Sequence, residues 1–531
     1  MKTIYHNGVV YTGELPLVEA FVVENGIFTL AGSSADALAE KQDGDEVVDL
    51  GGAFVCAGFN DSHMHLLNYG QVLENARLDQ HTDSLSGMVA YLKDFADSHP
   101  ERGWIVGRGW NQDFYTDEHR MPDRHDLDQV STDRPVCAVR CCGHALAVNS
   151  KALELLRITA DTPQPDGGEI VLAHGQPNGL FFDSAMDLVY QAIPAPTKEE
   201  VKDMLRAACR ALNGYGVTSC HSDDYSIFAA LPWQTVNEAY RELEEAGELT
   251  VRVYEQCNFT NLPAFREFVE TGRAKGTWFR TGSLKMLGDG ALGPRTAYLS
   301  RPYADAPDTC GIPVFSQETF DEMIGYAHEQ GIHAAIHAIG DACLDRVLSA
   351  MEKALTAHPR DDHRHGIVHC QITRPDQLEK IAELGLHIYA QSIFLDYDTH
   401  ILHARVGEEL AKSSYCWKTL LQKGVTVSNG TDCPVELPFA MGGIQCAVTR
   451  SDLRGSVPPH LPEEGFTVQE ALDSYTAAGA YASFEEDSKG KIKAGMLADF
   501  VVLGENPFTS SELCKIPVLA TYAGGVKVYE A

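Results

Sequence analysis

With 531 residues the chain is long enough for three to four domains of roughly 150 residues, or for one large core carrying insertions. Its 44% apolar and 22% charged residues exclude a disordered, collagen-like or membrane-bundle composition. The 42 Lys plus Arg against 75 Asp plus Glu give a net charge of −33, a surface that repels nucleic-acid phosphates and anionic lipid headgroups, so neither nucleic acid nor membrane is an expected partner.

Residues 1–10 read MKTIYHNGVV and hold no apolar signal core. No stretch approaches the roughly 18 consecutive apolar residues of a membrane span, which points to a cytoplasmic protein. The 14 Cys are scattered without a C-x-x-C pair and read as reduced, buried thiols. Residues 4–11 and 20–30 are β-branched and aromatic and carry the turn pairs Asn7-Gly8 and Asn25-Gly26, and 46–50 adds a short strand. At the other end 499–503 (DFVVL) and 520–529 are strand-like. A small β-sandwich built from both termini, 1–57 with 485–531, is therefore expected.

Between these ends, over 58–484, apolar strands alternate with helical patterns, as in parallel β/α folds. Eight strands are predicted at 54–60, 217–221, 251–256, 283–287, 332–337, 366–370, 387–391 and 425–429, with helices at 199–212, 319–329, 375–384 and 411–422. Gly331, Gly385 and Gly424 stand where helices should end before the next strand. Eight such units make an α/β fold of the TIM (β/α)8 barrel type. The long span between the first two strands exceeds any ordinary connection, so 66–200 is expected to be a large insertion after strand one, lying over the active site, with strands of its own at 104–108, 136–140 and 169–173.

TIM-barrel chemistry sits at the C-terminal ends of the strands. The first strand runs into Asp61-Ser62-His63-Met64-His65, and alternation places His63 and His65 on one face, suited to one metal ion. An H-x-H is common in a chain with 21 His, and His363-Arg364-His365 is another. The weight comes from the other strand ends: Lys285 on the fourth, His337 on the fifth, His369 on the sixth and Asp432 after the eighth. Singly, a snorkelling Lys, core-bonded His or helix-capping Asp would explain each. Together, metal-type ligands at the same end of five strands point to one shared site. The i, i+4 pairs His333/His337 and His365/His369 also suit helical zinc sites, but Gly331 and the β-branched flanks favour strands.

The order H-x-H, Lys, His, His, Asp along eight strands resembles the amidohydrolase superfamily. The surrounding phrases are similar to its amidohydrolase-3 branch, the YtcJ-like and N-substituted formamide deformylase-like proteins: AGFNDSHMH at 57–65, RGWNQ at 108–112, GHALAVNS at 143–150, Lys285 through RTA at 295–297, HAIGD at 337–341, GTDCPV at 430–435 and GKIKAGMLADFVVL at 490–503. The resemblance implies a small-molecule hydrolase of a non-peptide C–N bond: an N-substituted amide or formamide, or a cyclic amide. It implies two divalent ions, zinc first with manganese or iron as alternatives: His63 and His65 on one, His337 and His369 on the other, a carboxylated Lys285 bridging them and Asp432 completing the first. Metal lowers the pKa of bound water to give a hydroxide nucleophile, with Asp432 as general base and then acid. Trp110, His144, His221 and Arg295 would line the substrate pocket, and a homodimer is implied. Val368 beside His369, where the family usually carries an acid, and Asn60 in place of an apolar residue depart from the pattern around the ligands. Two other readings of the same residues are a mononuclear deaminase in which Lys285 stays an amine, and a catalytically silent scaffold.

Overall fold

Gly58 divides what reads in sequence as one strand over 54–60. Phe54–Ala57 belongs to a terminal sheet, while the barrel begins at β1, Phe59–Met64. A Cβ at residue 58 would meet Thr218 Oγ1 at 2.2 Å, so only glycine lets the chain pass from one sheet into the other. The computed structural model describes residues 2–80, 83–141, 145–165, 168–228 and 230–531. The chain forms two compact units: Met1–Leu67, Ala208–Ile227 and Pro232–Ala531 in one, Asn68–Ala207 with Phe228–Leu231 in the other.

In the larger unit β1 is followed by β2 (Val217–Ser222), β3 (Arg252–Asn258), β4 (Phe279–Leu287), β5 (Ala334–Ala338), β6 (Gly366–His369), β7 (His387–Ala390) and β8 (Val427–Asn429), each parallel to the next. The sheet is nearly closed. β8 and β1 share no ladder, and their seam is held instead by Asp432 N donating to His63 O at 2.8 Å and Thr431 N donating to the Asp61 carboxylate at 2.9 Å. Gly331, Gly385 and Gly424 end their helices with φ of 71, 62 and 84°. The helix expected over 411–422 is two helices, Leu402–Ala411 and Trp417–Gln422, because Tyr415 turns left-handed (φ 59°) to donate its N–H to Gln371 O at 2.7 Å.

Strands from both chain ends form two sheets in this same unit. One orders Ile27–Gly32, Ala20–Glu24, Lys2–His6 and Glu46–Asp49; the other orders Val9–Val10, Phe54–Ala57, Phe500–Leu503, Val518–Ala523 and Val526–Glu530. Tyr5, Phe21 and Phe28 from the first meet Val55, Phe500 and Val502 from the second in one apolar core, with Tyr5 stacked on Phe21 at 4.7 Å. Arg252, at the start of β3, fastens the barrel to these strands. Its guanidinium donates to both Asp499 oxygens at 2.7 and 3.1 Å and lies 4.1 Å over Trp278.

The second unit carries a six-stranded sheet ordered Gly168–Ala173, Gln176–Asp183, Ala145–Val148, Val136–Arg140, Ile105–Trp110 and Ala76–Arg77. Its core includes Leu85, Met88, Leu92, Trp110, Leu127 and Ala138. Among the described residues, no helix is long and apolar enough to cross a membrane.

Candidate metal centre

The seam brings the first and last strand ends together. His63 Nε2 lies 3.4 Å and His65 Nε2 3.1 Å from Asp432 Oδ1. His369 joins them: donor atoms of His63, His369 and Asp432 all lie within 4.8 Å of one another, a spacing that one ion can span. The imidazole of His337 is 4.4 Å from that of His369, centroid to centroid. The grouping crosses the expected division, since His369 sits with His63 and Asp432 as well as with His337. Lys285, three strands from β1, is fully buried.

Three of the four imidazoles are oriented by a second group. His63 Nδ1 is 2.7 Å from Gln256 Oε1 and His65 Nδ1 is 3.0 Å from Asp223 O, so both rings leave Nε2 for the shared site. His337 Nε2 lies 3.1 Å from Gly290 O and 3.2 Å from Asp289 Oδ1, which leaves Nδ1 as the nitrogen available to an ion. Asp289 is itself fixed by the N–H groups of Tyr298, Ile339 and Gly340 at 2.8, 3.1 and 2.8 Å. Asp61 accepts from Thr431 N, Thr431 Oγ1 and His63 N, which clamps β1 to the turn bearing Asp432.

The backbone is strained at two of these positions. His369 (φ 75°), its neighbour Cys370 (φ 50°) and Asp432 (φ 57°) occupy the left-handed region, at a cost of about 1–3 kcal/mol each. The Trp417 indole holds the first pair by donating to His369 O and Cys370 O at 3.1 and 3.2 Å. Such strain persists where function requires the placement.

The chemistry of the donors fits a divalent ion. His369 Nδ1, Lys285 Nζ and Asp223 Oδ1 are buried without a hydrogen-bond partner, a costly state for polar atoms unless a ligand completes them. Burial and the charge of Lys285 push His63 down to about 4, and burial with His337 pushes His369 well below the usual range, which keeps both lone pairs free at neutral pH. Burial likewise lowers Lys285. Asp432 resists its own burial because His63 and His65 hold it well below the ordinary carboxylate range. We expect Asp289→Asn to loosen His337 and weaken metal affinity about 10–100-fold, read by competition with a chromophoric chelator.

Of the residues expected to line the pocket, Trp110, His221 and Arg295 have the following surroundings. Trp110 has no exposed surface and donates its indole N–H to Ala138 O at 2.9 Å within the core of its own unit. His221 packs against Tyr254 and Tyr389, with ring centroids 5.0 and 6.1 Å away. Arg295 pairs bidentately with Asp305 at 2.9 and 2.8 Å, and Arg405 shares that carboxylate. His144 lies outside the described residues. His363 and His365, the other H-x-H, precede β6; His363 bonds Leu384 O and His365 bonds His328. Sequence reasoning missed Gln256 and Asp223. Asp223 had a signal, a carboxylate directly after the second barrel strand.

A nearly closed parallel barrel with imidazoles, a lysine and a carboxylate gathered at its strand ends defines the metal-dependent hydrolase class of TIM barrel. A metal-dependent hydrolase of Pyrococcus furiosus superposes with a TM-score of 0.79 at 31% identity, covering 96% of this chain and 100% of that one. The amidohydrolase family model matches residues 46–529, and the chain belongs to that family. It is 35% identical to Bacillus subtilis (strain 168) YtcJ over 100% of both chains, and 26% identical to the N-substituted formamide deformylase of Arthrobacter pascens over 96% of this chain and 95% of that one.

Proposed function

We propose that the protein hydrolyses a non-peptide C–N bond in a small molecule, an N-substituted amide or formamide or a cyclic amide, in the cytoplasm and as a homodimer. The observation that carries this reading is the convergence of His63, His65, His369 and Asp432 at the barrel seam beside His337 and a buried Lys285. The likeness to a deformylase supports the bond type. His63, His65 and Asp432 would hold one ion and His337 and His369 a second, with Lys285, as its carbamate, between them; zinc is the ion proposed, ahead of manganese or iron. When bound, the metal supplies Lewis-acid polarisation of the carbonyl and lowers the pKa of water.

The remaining steps belong to the chain. Asp432 Oδ1, between the Nε2 atoms of His63 and His65, takes the proton of the attacking water and returns it to the leaving nitrogen. Gln256 and the Asp223 carbonyl keep the two imidazoles from turning as that charge moves. Burial excludes bulk water, which strengthens every polar contact at the reacting atoms.

Metal content per chain, measured by plasma mass spectrometry after purification without chelator in bicarbonate, tests the reading. About two ions, with N-substituted formamide hydrolysis lost on chelation and restored by zinc, is the expected result. One ion would favour the mononuclear deaminase with Lys285 as an amine. No ion after reconstitution would leave a silent scaffold.

A further inference from the structure

Asp223 touches three barrel strands at the centre without belonging to its expected ligand set. It follows β2 and is fully buried. Its N–H donates to Met64 O at 3.0 Å and its carbonyl accepts from His65 Nδ1 at 3.0 Å, which ties it to the end of β1. Its Oδ2 accepts from Asn258 Nδ2 at 3.1 Å, and Asn258 stands beside Lys285 in the β3–β4 register. The same Oδ2 lies 3.6 Å from Lys285 Nζ, and Asp223 is the only carboxylate in ion-pair range of that nitrogen among the described residues. Oδ1 and Nζ each lack a hydrogen-bond partner although both are buried.

We propose that Asp223 is a positioning residue for a carboxylated Lys285. Carboxylation joins Nζ to the carbon of CO₂: an N–C bond forms, one C–O π bond becomes a lone pair on oxygen, and the amine releases one proton to water. One N–H then remains on Nζ. Asp223 Oδ2, already anchored by Asn258, accepts that N–H and fixes rotation of the carbamate about the Cε–Nζ bond. The carbamate is planar with its nitrogen by resonance, so fixing the direction of its N–H also fixes the plane and direction in which its two oxygens lie. With its carbonyl on His65 and its carboxylate on Lys285, one residue aligns donors from β1 and β4.

The inference rests on the reading of Lys285 as a carbamate, and the test separates the two. The enzyme is equilibrated with ¹³C-bicarbonate and zinc, and its carbamate resonance is integrated by NMR, with Lys285→Ala as the blank and metal content measured in parallel. Asp223→Ala is expected to lower carbamate occupancy about 3- to 10-fold, the worth of one buried hydrogen bond. Asp223→Asn, whose amide oxygen still accepts an N–H, is expected to keep most of the signal. Should Ala at 223 fail to fold by circular dichroism, Asp223→Ser, too short to span to Nζ, carries the same expectation. An undiminished signal in Asp223→Ala or Asp223→Ser overturns the positioning role while leaving the carbamate standing. A wild-type enzyme that binds metal yet shows no resonance above the Lys285→Ala blank overturns the carbamate, and the role of Asp223 with it.

Discussion

Asp432→Asn, reconstituted with metal to full occupancy, should lower kcat by about 10²- to 10⁴-fold, the range removed with a general acid–base, while circular dichroism stays near wild type. The substitution is nearly isosteric. Its Oδ1 can still face the Nε2 atoms of His63 and His65, and the bonds of Asp432 N to His63 O and of Val435 N to Asp432 O do not involve the side chain. What is lost is the capacity to take a proton. Because that loss is felt in the transition state, kcat and kcat/KM should fall together with KM nearly unchanged. A folded, metal-loaded Asp432→Asn enzyme with undiminished kcat would remove Asp432 from proton transfer.

The largest loss of stability is expected from Asp499→Ala. Arg252 and Asp499 are only 4% and 5% exposed, and Asp499 also accepts the N–H of Gly524 at 2.7 Å. Removing the carboxylate strands a buried guanidinium, at a cost of about 3–5 kcal/mol. Arg252→Met with Asp499→Asn removes the charge together with its partner and keeps an acceptor for Gly524, so it should cost far less than Asp499→Ala alone. Urea titration followed by tryptophan fluorescence checks this, since Trp278 lies under Arg252 and reports the junction directly. Equal midpoints for Asp499→Ala and wild type would show that the pair does not hold barrel and terminal strands together.

The barrel and most of its donors were legible because strand alternation and strand-end position are local properties. His63, His65, Lys285, His337, His369 and Asp432 each stand at or just beyond the C-terminal part of a run that reads as a strand, and the structure gathers them at one end. What was illegible depends on contacts distant in sequence. The break at Gly58 is set by Thr218, and the break at Tyr415 by Gln371. The pairing of His369 with His63 and Asp432 arises from closure of the barrel, which no window of sequence displays. Trp110 and Arg295 carry the right chemistry for a pocket, yet Ala138 and Asp305 claim their polar groups.

The seam between β1 and β8 also sets an order of events on the ribosome. His65 and Asp432 are 367 residues apart, roughly 20–70 s of synthesis at about 5–20 residues per second. Until residue 432 has emerged, the seam edge of β1 is bare and His63 and His369 lack the carboxylate that the structure places beside them. Phe54–Ala57, one residue upstream and already paired with Val9–Val10, waits longer still for its second neighbour, Phe500–Leu503. Binding of one ion by His63, His65, His369 and Asp432 together would therefore wait for the last barrel strand, long after the first two imidazoles are made.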